Sequence, residues 1–97
     1  MEINLENKKN HIVKMHFVNK KNKWIFIGIR YSELKKIIRK SLRIEKPLYK
    51  EFNNRLIYIT KTKKVIGRNR EWTKTKKIQF VIEKNKSELL LITAFPI

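Results

Sequence analysis

The chain contains two histidines, His11 and His16, which lie five positions apart. Histidine exchanges protons readily near neutral pH, so the pair could supply a general base and a general acid. Of the 97 residues, 25 are Lys or Arg and eight are Asp or Glu, which gives a formal net charge of +17. A surface of this charge attracts the phosphate backbone of nucleic acid. The sequence therefore indicates a protein that either binds nucleic acid or cuts it.

The residue types present favour RNA as the substrate. RNA is cut without a metal ion when a base removes the 2′-hydroxyl proton, an acid protonates the leaving 5′-oxygen, and cations stabilise the pentacoordinate phosphate. DNA has no such internal nucleophile, and its cleavage usually needs a metal held by clustered carboxylates or histidines. The sequence shows no such cluster and no cysteine. We therefore expect a metal-independent reaction with no cofactor.

Length and composition predict a single domain over residues 1–97. Hydrophobic residues make up 41% of the chain, enough for one packed core beneath a basic surface. Without cysteine, the fold depends on packing and has no disulfide. No apolar run approaches the roughly 18 residues of a membrane span, and the first six residues lack the composition of a signal peptide. If the protein is exported, we expect the export signal to lie elsewhere.

Residues 5–18 have the periodicity of a helix. Projected at about 100° per residue, the apolar side chains of this segment share one broad face. They are Ile12, Val13, Met15 and Phe17. His16 falls in the middle of this face, whereas His11 falls on the opposite side with Lys14, which could hold a phosphate. The two histidines should therefore have different roles, and His16 has the alternative of being a hydrogen-bonded core residue.

A second helix follows a polar break at residues 19–23 and an apolar run at residues 24–29. The run is β-branched and aromatic, which predicts a short strand or a buried extended segment. Ser32 is the predicted N-cap of the helix, and Pro47 lies beyond its end. Apolar residues at helical spacing alternate with basic ones, namely Lys35, Lys36, Arg39, Lys40 and Arg43. These cations form either a solvated face or a set of phosphate contacts.

From residue 55 the apolar period changes to two, which predicts strands. The clearest are at residues 55–60, 65–67, 78–82 and 89–92, and a turn near Asn85 and Lys86 should join the last two in an antiparallel hairpin. Helices followed by strands predict an α+β domain, with the amino-terminal helices packed on one face of an antiparallel sheet.

Several side chains of the strand region are candidates for contact with RNA. Thr60, Thr73, Thr75 and Thr93 could present hydroxyls, and Tyr58 could place its own hydroxyl at the edge of a cleft. Trp24 and Trp72 could stack on bases, although tryptophan more often packs in a core. Lys74 and Lys76 flank Thr75 and could contact phosphates.

Parts of the sequence resemble a family of small bacterial toxins. These parts are Tyr58, Val65-Ile66-Gly67, Trp72-Thr73-Lys74-Thr75, Ile78-Gln79-Phe80-Val81-Ile82, Leu91-Ile92-Thr93-Ala94-Phe95-Pro96 and His11-Ile12-Val13-Lys14-Met15-His16. They are similar to the "IG" strand, the threonine before a "VRVV"-like strand, the terminal "TAFP" and the "HI..KH" helix of carboxy-terminal ribonuclease toxin domains. The family is the barnase, EndoU, colicin and RelE-like superfamily, common in contact-dependent growth inhibition proteins and other polymorphic toxins. The chain departs from it at Gln79, commonly Arg, and near Trp24, commonly Ser.

The resemblance implies a metal-independent endoribonuclease, often directed at tRNA. It implies delivery from a larger secreted or cell-surface protein into the cytoplasm of a target cell, and neutralisation by a cognate acidic immunity protein. Carried over by position, the catalytic candidates are His11, His16, Thr75 and Thr93.

The alternative is a basic module that binds RNA or DNA without cutting it. Such a module would leave both histidines structural and would show a steep salt dependence of binding without turnover. A membrane-active peptide is disfavoured, because the narrow apolar face of the second helix is better explained by a protein core.

Overall fold

The computed structural model describes residues 3–18, 24–51, 54–86 and 88–97. Within these ranges the chain forms two helices and eight strands. The helices are α1 (Lys9–His16) and α2 (Tyr31–Ile44). The strands are β1 (Ile3–Asn4), β2 (Ile25–Phe26), β3 (Tyr49–Glu51), β4 (Arg55–Lys61), β5 (Gly67–Arg68), β6 (Lys74–Thr75), β7 (Lys77–Asn85) and β8 (Glu88–Pro96).

The strands form two sheets, which confirms the predicted α+β class. The main sheet has the order β1-β8-β7-β4-β3, and the smaller one has the order β2-β5-β6. All pairs are antiparallel except β1 with β8, which is parallel. The parallel pair and the second sheet were not predicted, because two-residue strands leave no periodic pattern in a sequence.

The predicted hairpin at the end of the chain is confirmed as β7 and β8. Its register changes once: Val81 faces Thr93 but Ile82 faces Leu91, so Ile92 is an extra residue in β8. A bulge of this kind reverses the alternation of faces along one strand. It explains why Leu91 and Ala94, three residues apart, are both fully buried.

The core lies between α2 and one face of the main sheet. On that face Tyr58 stacks on Phe80 at 5.0 Å between ring centroids, and Phe80 faces Ala94 on β8. Leu34 and Ile38 of α2 belong to the same buried cluster. The prediction that the amino-terminal helices pack on one face of the sheet is confirmed, because Ile12 of α1 belongs to this cluster as well. Both α1 and β2 lie against β8.

Thr60 has a role in the fold. Its hydroxyl donates to the Glu45 carboxylate at 3.1 Å, and the Ser41 hydroxyl donates to the same carboxylate at 2.5 Å. These bonds fasten the carboxyl end of α2 to β4.

Both predicted helices differ from the observed ones at their ends. The first begins at Lys9 and not near Leu5, because Ile3 and Asn4 pair with β8. Ser32 is not the N-cap of the second: the helix begins at Tyr31, and the Glu33 carboxylate accepts the Arg30 N–H at 3.2 Å. The Glu33 carboxylate thus accepts a hydrogen bond from a backbone N–H that has no partner within the helix. The sequence pattern predicts this capping role for the hydroxyl of Ser32.

Two further sequence expectations have definite outcomes. The apolar run at residues 24–29 forms a strand only at Ile25–Phe26, and Gly28 follows with a φ of +83°. Met15, assigned to the apolar face of α1, is 40% exposed. The polar break at residues 19–23 lies outside the described residues. No helix in the described ranges has the length and apolar character needed to cross a membrane.

Candidate active site

His16 is the last residue of α1 and is held in one orientation by Trp24. Its Nδ1 atom lies 2.8 Å from the Trp24 carbonyl oxygen. A carbonyl oxygen can only accept a hydrogen bond, so Nδ1 carries the proton of the neutral ring and Nε2 carries the lone pair. The contact therefore selects the form of the imidazole that can remove a proton through Nε2.

The surroundings of His16 keep the ring neutral near pH 7. Burial lowers the pKa of His16 below its ordinary value, because an apolar environment penalises the charged imidazolium; the bond to Trp24 partly offsets this, and the charge of His11 adds to the lowering. No hydrogen bond to Nε2 is formed within the described part of the chain, and no buried side-chain N or O atom there lacks a partner. Within the described residues, the lone pair of Nε2 is therefore not used by a protein donor.

The Phe95 ring contacts both the imidazole and the Trp24 ring. The Phe95 ring lies 5.6 Å from the His16 ring and 5.6 Å from the Trp24 ring. Trp24 has a φ of 60°, a left-handed conformation that costs a non-glycine residue about 1 kcal/mol or more. Its backbone is thus held in an uncommon conformation at the point where its carbonyl fixes the histidine.

An arginine from a distant part of the sequence lies against the Trp24 ring. The guanidinium of Arg70 lies 5.9 Å from the centre of the Trp24 ring. Arg70 is exposed and belongs to the turn between β5 and β6. We refer to His16, Trp24, Phe95 and Arg70 as the His16 cluster. It combines a neutral imidazole with an exposed positive charge that is suited to a phosphate.

Asn69 holds this turn in position. Its side-chain oxygen accepts the N–H groups of Glu71 at 3.1 Å and of Thr73 at 3.0 Å, and its side-chain nitrogen donates to the Ile97 carbonyl at 3.3 Å. The turn is therefore tied to the residue that follows β8, the strand that carries Phe95. Thr73 is exposed and contributes its backbone to this arrangement.

Thr93 lies on the same sheet face as Phe95. The two are separated by one residue on β8, or about 7 Å along the strand. Across the hairpin, Thr93 and Phe95 on β8 pair with Val81 and Gln79 on β7. These four side chains lie on the sheet face opposite to the one that carries Phe80. Of the four predicted catalytic residues, His16 therefore contacts Phe95, and Thr93 lies two positions before Phe95 on β8.

The other two are placed differently. His11 is exposed on α1, as the helical projection predicted, and so is Lys14. Thr75 lies on β6, where its hydroxyl oxygen accepts the Lys77 N–H at 3.1 Å. Lys74 and Lys76 on either side of it are exposed.

Trp72 and Tyr58 have opposite environments. Trp72 is 43% exposed in the turn between β5 and β6, with the Arg68 guanidinium 5.6 Å from its ring, so it is available for stacking. Tyr58 is buried on the face covered by α2, and burial raises its pKa. Tyr58 and Phe95 lie on opposite faces of the main sheet, so the structure does not bring Tyr58 to the ring that contacts His16.

Sequence reasoning missed Arg70 and Phe95. Phe95 was quoted as part of a terminal motif, and Arg70 was one of many basic residues. The signal that could have found Arg70 is the turn sequence Asn69–Trp72 after a glycine-containing strand, but the partner of that turn is set by the tertiary fold. Among the described residues, no group of three or more His, Asp or Glu side chains is arranged to hold a metal.

Comparison of the chain with protein-family models, with curated proteins and with solved structures gives no match.

Proposed function

We propose that the protein is a metal-independent endoribonuclease in which His16 is the general base. The observation that supports this most directly is the 2.8 Å contact between Nδ1 and the Trp24 carbonyl, which leaves the lone pair on Nε2. The lowered pKa of His16 supports it further, because a base must be unprotonated at the operating pH. The charge of +17 supports RNA as the partner.

In the proposed reaction, Nε2 of His16 takes the proton of a 2′-hydroxyl. The 2′-oxygen forms a bond to the adjacent phosphorus while the bond from phosphorus to the 5′-oxygen breaks. The products are a 2′,3′-cyclic phosphate and a 5′-hydroxyl; the leaving oxygen takes a proton from solvent, and His16 returns its own proton to solvent. Arg70 stabilises the negative charge of the phosphorane, and Thr93 positions the phosphate.

The first test is incubation of the purified protein with total RNA in EDTA at modest salt. Discrete fragments that end in a cyclic phosphate support the enzyme, whereas intact RNA with shifted mobility supports the alternative of a non-catalytic binding module. Loss of cutting in EDTA that magnesium restores would refute the metal-independent mechanism.

A pair of His16 variants separates chemistry from folding. In His16→Asn the amide can still donate to the Trp24 carbonyl, but the base is gone, so we expect cutting to fall by about 10²-fold or more with little change in stability. His16→Ala loses both functions. His11→Ala is the matched control, and a comparable loss there would assign His11 as the acid. Full activity in His16→Asn would remove His16 from the mechanism.

The biological setting is proposed from the resemblance to toxin domains. We propose that the domain is delivered by a larger secreted protein, cuts tRNA in the cytoplasm of a target cell, and is neutralised by an acidic immunity protein. A gene for a small acidic protein immediately downstream, whose product relieves toxicity when co-expressed, is the expected finding. Toxicity that no neighbouring gene relieves would count against this setting.

A further inference from the structure

Four cations of α2 form a row along one side of the helix. They are Lys36, Arg39, Lys40 and Arg43, at the spacing i, i+3, i+4 and i+7 that places side chains on one face. The row spans seven residues, or roughly 10 Å along the helix axis. None of the four forms an ion pair with a carboxylate of the described residues, whereas the neighbouring Lys35 is paired with Glu6 at 2.6 Å.

The row borders a groove of about 780 Å³, here called the α2 groove. Its other walls are apolar side chains of Ile3, Leu42 and Leu89, together with Tyr58. Tyr58 is 7% exposed, and burial raises its pKa, so the hydroxyl stays protonated and can donate a hydrogen bond. A volume of this size is in the range of sites that hold small ligands.

The α2 groove is distinct from the His16 cluster. Leu89 lines the groove and Phe95 lies in the cluster, and their partners on β7, Lys84 and Gln79, are five positions apart, or roughly 17 Å. A strand of nucleic acid that contacts both regions must cross the surface between them, so the groove cannot hold the bond being cut at His16.

From these observations we infer that the α2 groove binds a single-stranded segment of RNA, with phosphates on the four cations and an unpaired base against the apolar wall. Cations that lack protein carboxylate partners complement a phosphate backbone. An apolar wall with one hydroxyl fits a base whose edge is free. A duplex hides its base faces and would use the cations alone. This inference rests on the proposed function, which it deepens by naming an unpaired segment of the substrate.

The test measures binding apart from cleavage. His16→Ala protein is titrated with a fluorescent single-stranded 2′-O-methyl RNA, which cannot be cut by attack of its 2′-oxygen, and with a duplex of the same sequence. Arg39→Gln/Lys40→Gln removes two charges from the row. Lys46→Gln/Lys63→Gln, which changes two exposed lysines outside the groove, is the matched control.

A plot of the logarithm of the association constant against the logarithm of the salt concentration has a negative slope. For single strands, removing two phosphate contacts should reduce the magnitude of this slope by about 1.4, which corresponds to roughly 25-fold weaker binding at about 0.1 M salt. We expect this loss in Arg39→Gln/Lys40→Gln and a smaller one in the control. Leu42→Asn, which keeps the charges but makes the wall polar, should weaken the single strand more than the duplex.

Equal losses in the two double variants, or equal binding of single strand and duplex by every protein, would overturn the inference. A third outcome is that Arg39→Gln/Lys40→Gln binds RNA normally but binds an acidic protein more weakly than the wild type does. That outcome would assign the groove to a protein partner and would also overturn the inference. If wild-type protein cuts RNA while the groove variants bind normally, only this inference fails. If the groove binds single strands as expected and wild-type protein cuts nothing, only the proposed activity fails.

Discussion

Replacing Gly67 with alanine tests whether the close approach of β2 and β5 holds the His16 cluster together. A Cβ atom at Gly67 would lie 2.1 Å from the Ile25 carbonyl oxygen and 2.9 Å from the Phe26 Cα. Both obstacles are backbone atoms, so no side chain can rotate away. The strands would have to separate by about 1 Å, which breaks pairing between strands that normally lie about 4.8 Å apart.

The expected cost is large for one methyl group. Forcing a group into packed backbone costs about 1–3 kcal/mol, and each lost backbone hydrogen bond adds about 1 kcal/mol. One bond at risk is the 2.9 Å bond from the Ile27 N–H to the Ile66 carbonyl, and β2 and β5 pair directly beside it. We therefore expect Gly67→Ala to lower the free energy of unfolding by about 2–4 kcal/mol.

Gly28→Ala is the matched control, because Gly28 is the other of the two glycines. A Cβ there meets nothing within 4 Å, but its φ of +83° costs alanine about 1–2 kcal/mol. Urea unfolding of both variants measures the difference. The reasoning is wrong if Gly67→Ala is no more destabilising than Gly28→Ala. Activity supplies a second measurement, since displacement of β2 moves the Trp24 carbonyl away from His16.

Three further predictions use different measurements. The pKa of His16 in the folded protein lies below its ordinary 6.5, so the unfolded chain takes up the proton first as the pH falls, and the folded protein loses stability. His16→Asn should therefore lose less stability than the wild type between about pH 8 and about pH 5. An equal loss in both proteins contradicts the burial argument. Burial raises the pKa of Tyr31 to about 12, so the contribution of Tyr31 to stability is complete below about pH 10 and is lost between about pH 10 and about pH 12. Tyr31→Phe lacks the hydrogen bond to the Leu5 carbonyl and should be less stable than the wild type by about 1–2 kcal/mol at neutral pH. This variant should not show the loss of stability at alkaline pH. Arg70→Gln should lower kcat/KM for RNA by about 10²-fold with stability unchanged within about 0.5 kcal/mol, and unchanged kcat/KM would exclude Arg70 from the site.

The helical projection of residues 5–18 correctly separated His16 from His11, because side-chain direction in a helix depends only on local spacing. The β7–β8 hairpin was predictable for the same reason: alternating apolar residues and a nearby turn are local signals. The fold class followed from the order of these elements.

The composition of the His16 cluster could not be predicted in this way. Arg70 and Trp24 are far apart in the sequence, and they meet only because β2 pairs with β5, a contact of two residues on each strand. The sheet face on which Thr93 lies depends on the bulge at Ile92. If the side chains alternated strictly from Leu89 onward, every residue after Ile92 would be assigned to the wrong face of the sheet. The helix start at Tyr31 depends on a carboxylate rather than on the hydroxyl of Ser32.

The parallel pairing of β1 with β8 affects when the protein can fold. Ile3 pairs with Leu89, a contact between residues 86 positions apart, and β7 and β8 occupy central positions of the main sheet although they are synthesised late. Contacts of such long sequence separation slow folding, because the loop entropy is lost before the contact stabilises the chain. A chain whose residues 88–96 have not yet emerged from the ribosome lacks β8, the strand that lies between β1 and β7 in the main sheet. We expect the native sheet, and with it the His16 cluster, to form only after residues 88–96 have been released.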